Sequence, residues 1–159
     1  MLANVYEEIQ PKLFTFFYMK TMNVATAEDL TQDVFYEATR SIHRFNGNSS
    51  LSTWLFAIAH HLLKKYYRSK KYTQALASQI AEEFKMTPLS TEQVTELKAL
   101  AHKLIRDLSE PISEIILLRL YGELSFKEIA DIIGKTENYT RVMFHRAKRR
   151  LRVELEGYE

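Results

Sequence analysis

Apolar residues recur along this chain at helical spacing, and almost nowhere do they alternate with polar ones. Val5, Ile9, Leu13, Phe16 and Phe17 fall on one side of a helix expected over Leu2 to about Met22, with Pro11 as the place where it kinks or splits. Thr26 followed by Asp29 is a capping signal for a second helix, whose stripe runs through Leu30, Val34, Phe35 and Ala38. Asp29, Gln32, Asp33 and Tyr36 then lie on its other side. "RFNGNSSL", Arg44 to Leu51, puts Asn, Gly and Ser in succession and reads as a loop. A helix of about five turns follows, with Leu51, Leu55, Ile58, Leu62 and Tyr66 as its buried stripe and Ala57, His61, Lys64 and Arg68 on a different face.

Periodicity then fades. Thr73 to about Thr91 reads as a linker, with a turn or two of helix near Ala75 to Phe84. Val94, Leu97, Leu100, Ala101, Leu104 and Leu108 restart a stripe. Ser109, Glu110 and Pro111 open another helix, apolar on nearly every side, which needs neighbours wrapped around it. Ser125 and Glu128 form a capping box for a short helix with Phe126, Ile129, Ala130 and Ile133 on one face, and Gly134 ends it. Thr136 caps a last helix with Thr140, Phe144, Ala147 and Leu151 facing inward. Two helices across so tight a turn make a helix-turn-helix. The fold class expected is all-α: two small helical domains, 1–72 and 94–159, joined by a linker over 73–93.

Charge adds what periodicity cannot. The net charge is only +2, but its signs are segregated. Met22 to Thr39 holds Glu28, Asp29, Asp33 and Glu37 and no Lys or Arg, whereas Ala38 to Ala81 holds no carboxylate and carries Arg40, Arg44, Lys64, Lys65, Arg68, Lys70 and Lys71. Such a division suggests basic surfaces for a polyanion and an acidic surface for something else. With its apolar stripe inward, the last helix turns Asn138, Val142, His145 and Arg149 outward, with Arg141 and Arg146 beside them and Arg150 further on. No carboxylate lies between Asn138 and Val153. A solvated basic helix is the bland reading, but the capped helix and tight turn before it supply the frame of a DNA-reading helix.

Other candidates weigh less. The aromatic and basic run His60 to Tyr72 has the two parts of a single-strand binder, stacking rings and backbone-following cations, or else is a helix end with solvated lysines. His60 and His61 point about 100 degrees apart and cannot share one metal ion. Trp54 fits a core position better than a stacking platform. The acidic residues 28 to 37 suit a protein-binding face better than catalysis, since no histidine, lysine or glycine-rich loop surrounds them. The chain is therefore expected to be no enzyme and to need no cofactor or metal. Its lack of cysteine fits a reducing compartment. With neither a signal peptide nor an apolar run near membrane length, a cytoplasmic location and no membrane insertion are expected.

"AEDLTQDVFYEATRSIHRFNGNSSLSTWLFAIAHHLLKKYYR" closely resembles the promoter-melting domain of bacterial sigma factors of the extracytoplasmic function group, and "LSEPISEIILLRLYGELSFKEIADIIGKTENYTRVMFHRAKRRLR" resembles their helix-turn-helix domain. The resemblance implies a subunit that binds core RNA polymerase and promoter DNA, as duplex and as melted strand. It matches Asp29, Gln32 and Asp33, with Tyr36 on the same face, to the segment that grips polymerase. It matches Asn46, Asn48, Ser50, His60, His61, Lys64, Lys65 and Arg68 to the part that opens the upstream promoter element, captures a flipped base and holds the exposed strand. It gives Asn138, Arg141, Val142, His145, Arg146, Arg149 and Arg150 the reading of a more distant element, and threads the linker through the polymerase cleft.

The chain departs from the family at His60 and His61, where Arg or Lys and then Asn are usual, and at Thr140, Val142 and Met143. Its promoter sequence is not to be borrowed from relatives. No further domain is expected after Glu159, so regulation, in a stress response, is expected from a separate anti-sigma factor or from expression. The alternative left open by the residues is a free-standing helix-turn-helix repressor or activator, which has no use for single strands.

Overall fold

A computed structural model describes residues 2–77 and 96–158. The chain divides into two compact units, Met1–Leu89 and Ser90–Glu159. All regular structure among the described residues is helical.

The first unit packs α1 (Leu2–Thr21), α2 (Val24–Ser41) and α3 (Leu51–Ala77), with a single 3-10 turn, Ile42–Arg44, after α2. Helix α1 runs unbroken through Pro11. It buries Ile9, Leu13, Phe16 and Phe17 as expected, and also Tyr18 and Met19. Helix α2 starts earlier than its Thr26 signal predicted. Asn23 is the cap, its side chain accepting the Thr26 amide at 2.9 Å, so Thr26 lies inside the first turn. Ala27, Leu30, Thr31, Val34 and Ala38 face the core, and Phe35 is only half-buried. The rings of Phe16 and Phe56 meet edge to face at 6.0 Å in the middle of the unit.

The loop before α3 turns at Gly47, whose φ of 78° favours a residue without a Cβ. Asn46 accepts the Asn48 amide at 3.0 Å, and the Ser50 hydroxyl accepts the Thr53 amide at 3.1 Å, capping α3. The buried arc of α3 differs from the predicted one. Leu55, Phe56, Ala59 and Leu63 are core, with Thr53 and His60 beside them, whereas Leu51, Ile58, Leu62 and Tyr66 are half-buried. The helix is thus rolled by about one residue, or 100 degrees, from the expected stripe. It also continues past Tyr72 to Ala77, through residues read as linker. The rest of that linker, 78–93, and the expected helical turns beyond Ala77 lie outside the described residues.

The second unit contains α4 (Glu96–Asp107), α5 (Ile112–Leu120), α6 (Phe126–Ile133) and α7 (Glu137–Tyr158). Helix α5 is its hub, with residues Ser113 to Leu118 all buried. Among the α4 residues whose burial is described, Ile105 is buried, and the predicted stripe omitted it. After α5 the chain turns at Gly122, where an added Cβ would lie 2.6 Å from the Leu118 carbonyl oxygen. The capping box at Ser125 and Glu128 is present in both directions, at 3.1 and 3.0 Å. Gly134 closes α6 in the left-handed conformation, with φ 74°. The Thr136 hydroxyl then accepts the Tyr139 amide at 3.0 Å and starts α7.

Candidate functional site

Three exposed surfaces result from these helices. The first is the outer face of α2. Because Leu30, Val34 and Ala38 turn inward, Glu28, Asp29, Gln32 and Asp33 are exposed, and Tyr36 shows 63% of its surface. Arg40 pairs with Glu37 at 3.2 Å and rests 5.6 Å over the Tyr36 ring, which leaves the negative charge concentrated at the N-terminal end of the face. The Tyr36 ring, among carboxylates, lies outside the core of this unit.

The second surface belongs to α3 and the loop before it. Asn46, Asn48 and Ser50 are exposed, as are His61, Lys64, Lys65 and Arg68. His60 is not. The one-residue roll of α3 puts it in the interior at 5% exposure, its ring 5.6 Å from that of His61, so it is removed from the candidate nucleic-acid face. Ser50 carries a structural duty as cap of α3 besides its exposed position. Trp54 is neither fully buried nor free. It packs on Phe45 at 5.3 Å and lines a hollow of about 470 Å³ with Ile58, His61, Leu62 and Lys65 of α3, closed on the other side by Glu37, Ser41 and Arg44. Sequence reasoning counted Arg44 among the bases of this stretch but missed the hollow that it lines. Burial lowers the His61 pKa from its ordinary 6.5, and His60 and then Lys64 push it the same way. His61 is therefore a neutral imidazole at pH 7, a donor and an acceptor rather than a cation.

The third surface is α7. Thr140, Phe144 and Ala147 are buried, which turns Asn138, Arg141, His145, Arg146, Arg149 and Arg150 out to solvent with Val142 half-exposed among them. The carboxylate-free stretch is less bare than its sequence suggests. Glu137, immediately before it, pairs with Arg141 at 3.1 Å, and Glu154, immediately after it, pairs with Arg150 at 3.2 Å. His145, Lys148, Arg149 and Arg152 line one shallow cleft, so Lys148 and Arg152 join the basic face. Phe126 of α6 supports the start of the helix, packing on Phe144 at 5.4 Å and on His145 at 5.8 Å. Among the described residues no group of His, Asp and Glu is placed to hold a metal, and no helix is long and apolar enough to cross a membrane.

Two family patterns match, in the order of the two units: Sigma-70 region 2 over residues 5–73 and Sigma-70, region 4 over residues 98–151. The chain belongs to the extracytoplasmic function sigma factors. It is 28% identical over 158 residues to the RNA polymerase sigma factor YlaC of Bacillus subtilis, covering 95% of this chain and 90% of that protein. It is 27% identical over 164 residues to the ECF RNA polymerase sigma factor SigW of the same organism, covering 96% and 88%. In fold it is similar to the sigma factor RpoE of Bartonella quintana, solved in complex with the anti-sigma factor NepR, with a TM-score of 0.75, 23% identity and coverage of 98% and 96%. A sigma factor binds core RNA polymerase and directs it to promoters, opening the strands for initiation, and that is this chain's function. As a sigma factor it has an N-terminal unit built on α1 to α3 and a helix-turn-helix unit built on α4 to α7.

Proposed function

We propose that the three exposed surfaces divide the work of this sigma factor. The outer face of α2, with Asp29, Gln32, Asp33 and Tyr36, docks on basic helices of core polymerase. The loop residues Asn46, Asn48 and Ser50, with His61, Lys64, Lys65 and Arg68 of α3, hold the opened strand of the nearer promoter element. Helix α7 enters the major groove of the farther element with Asn138, Arg141 and Val142 foremost, and His145, Arg146, Arg149 and Arg150 follow the groove and its phosphates. The observation that carries this reading is that acidic and basic side chains occupy separate exposed faces, each turned out by its own buried stripe. A plain repressor leaves the acidic α2 face and the neutral His61 without a task.

The sigma factor acts in the cytoplasm as a regulatory subunit without chemistry of its own, in a stress response, and a separate anti-sigma factor holds it inactive. Support for the last point comes from the fold relatives, solved with NepR and, for CnrH, with the cytosolic domain of CnrY.

The test is reconstitution. Purified core polymerase and this chain should together give specific run-off transcripts from a genomic library, and neither alone should. Asp29→Lys with Asp33→Lys should abolish capture of core polymerase in a pull-down while leaving the circular dichroism unchanged, since exposed charge substitutions usually alter stability by less than about 0.5 kcal/mol. A double variant that folds and still captures polymerase would remove α2 from the docking surface.

A further inference from the structure

Glu137 stands where a DNA-reading helix can least tolerate a negative charge. It is the first residue of α7, exposed, and its carboxylate meets the Arg141 guanidinium one turn on. A surface ion pair of this kind does little for stability, because both partners remain about half exposed, at 47% and 50%. In the field of phosphates a carboxylate weakens binding to every sequence. A carboxylate in the first turn suits the helix dipole, and in the groove a contact that only some sequences provide would offset its repulsion from phosphate.

The geometry supplies one. Arg141 is held from two directions, by Glu137 at 3.1 Å and by the Phe126 ring 5.6 Å from its guanidinium carbon. Phe126 is itself fixed, with Arg119 4.3 Å from its centroid and the Arg119 guanidinium donating to the Leu124 carbonyl at 2.9 Å. Arg141 thus has two partners within its own unit, and the Glu137 carboxylate lies beside its guanidinium. In the major groove an arginine fork matches the O6 and N7 of guanine, and a carboxylate accepts from the N4 amino group of cytosine.

We propose that Glu137 is a specificity-determining residue of this helix: beside Arg141, its carboxylate accepts the amino group of a cytosine next to or opposite the guanine that Arg141 reads. The pair acts as one reading unit. Phosphate repulsion penalises every site, and the cytosine amino group offsets that penalty at the correct one, which is discrimination by both attraction and rejection. The inference rests on the reading of α7 as the helix that enters the groove.

The experiment uses holoenzyme reconstituted from core polymerase and the full chain, bound to a promoter library randomised over the upstream element at several salt concentrations. Glu137→Ala should lower the preference for cytosine at one position by about tenfold and bind the other bases there as well as or better than the parent. Glu137→Gln should shift that preference towards adenine, which an amide matches on its N6 and N7. Combined with Arg141→Ala, the double variant should lose less than the product of the two single losses, since the residues share one contact. If both Glu137 variants changed affinity for every library member by the same factor, Glu137 would be only a solvated helix-start charge and the inference would fall alone. If the parent holoenzyme showed no sequence preference in this element, the groove placement of α7 would fall, and the inference with it.

Discussion

Arg141 and Arg149 stand on the same exposed helix two turns apart, and the distance decides what each can touch. In the proposed placement Arg141, one turn from the capped start, meets base edges, whereas Arg149 follows where the helix leaves the groove for the backbone. Arg141→Ala should relax preference at one base pair at a cost of about 1–3 kcal/mol, and Arg149→Ala should weaken all sequences alike and lower the salt slope by roughly 1. Holoenzyme binding to single-base promoter variants at several salt concentrations measures both. His61 gives a prediction in pH. Its folded pKa is lowered, first by burial and then by His60 and Lys64, so the folded protein binds fewer protons than the unfolded chain just below pH 6.5. The stability this confers is complete above the unfolded value and is lost as pH falls through the lowered folded value. Arg44 and Lys65 share its hollow, and Glu37 is the single acid lining it. An NMR titration of the imidazole should find its midpoint below 6.5, and His61→Asn should flatten the pH dependence of melting in that window.

Among the elements, α7 was legible from its sequence and α3 only in part. Around Thr140, Phe144 and Ala147 every neighbour is polar, basic or half-exposed, so one stripe alone can be buried, and its outward residues follow. In α3 the stretch from Leu51 to Leu63 is apolar on several sides at once. Leu51, Leu55, Ile58 and Leu62 make a plausible stripe, and so do Leu55, Phe56, Ala59 and Leu63; contacts with α1, such as Phe16 against Phe56, select the second. That choice moved His60 inward, and no local pattern signals it. The α2 cap was missed for a similar reason, because Asn23 and Thr26 are both good caps and only the chain's path after α1 decides between them. Glu137 could have been found from its place four residues before Arg141. The roll of α3 is itself testable: Phe56→Ala should cost about 3–5 kcal/mol and Leu62→Ala, half-exposed, clearly less, in urea unfolding of the full chain. A larger loss at Leu62 than at Phe56 would return α3 to the register its sequence suggested.

At the scale of the whole molecule, the separation of charge has effects beyond recognition. The net charge of +2 understates the charge on each face, because α2 gathers acids and α3 and α7 gather bases. What fits a basic polymerase surface and a polyanion also fits a second copy of the chain, acidic face to basic face. Such contacts are heterologous, so they do not close on themselves and can grow. Salt governs them: screening reaches about 30 Å at 0.01 M ionic strength and about 8 Å at 0.15 M. The purified protein is therefore expected to compete with its own partners in dilute buffer. Light scattering should rise on dialysis to low salt and fall again when salt or short duplex DNA is added, and Asp29→Lys with Asp33→Lys should stay clear throughout. On that expectation the solubility of a chain kept without polymerase or an anti-sigma factor follows ionic strength, and a bound partner acts on it as a dispersant as much as a ligand.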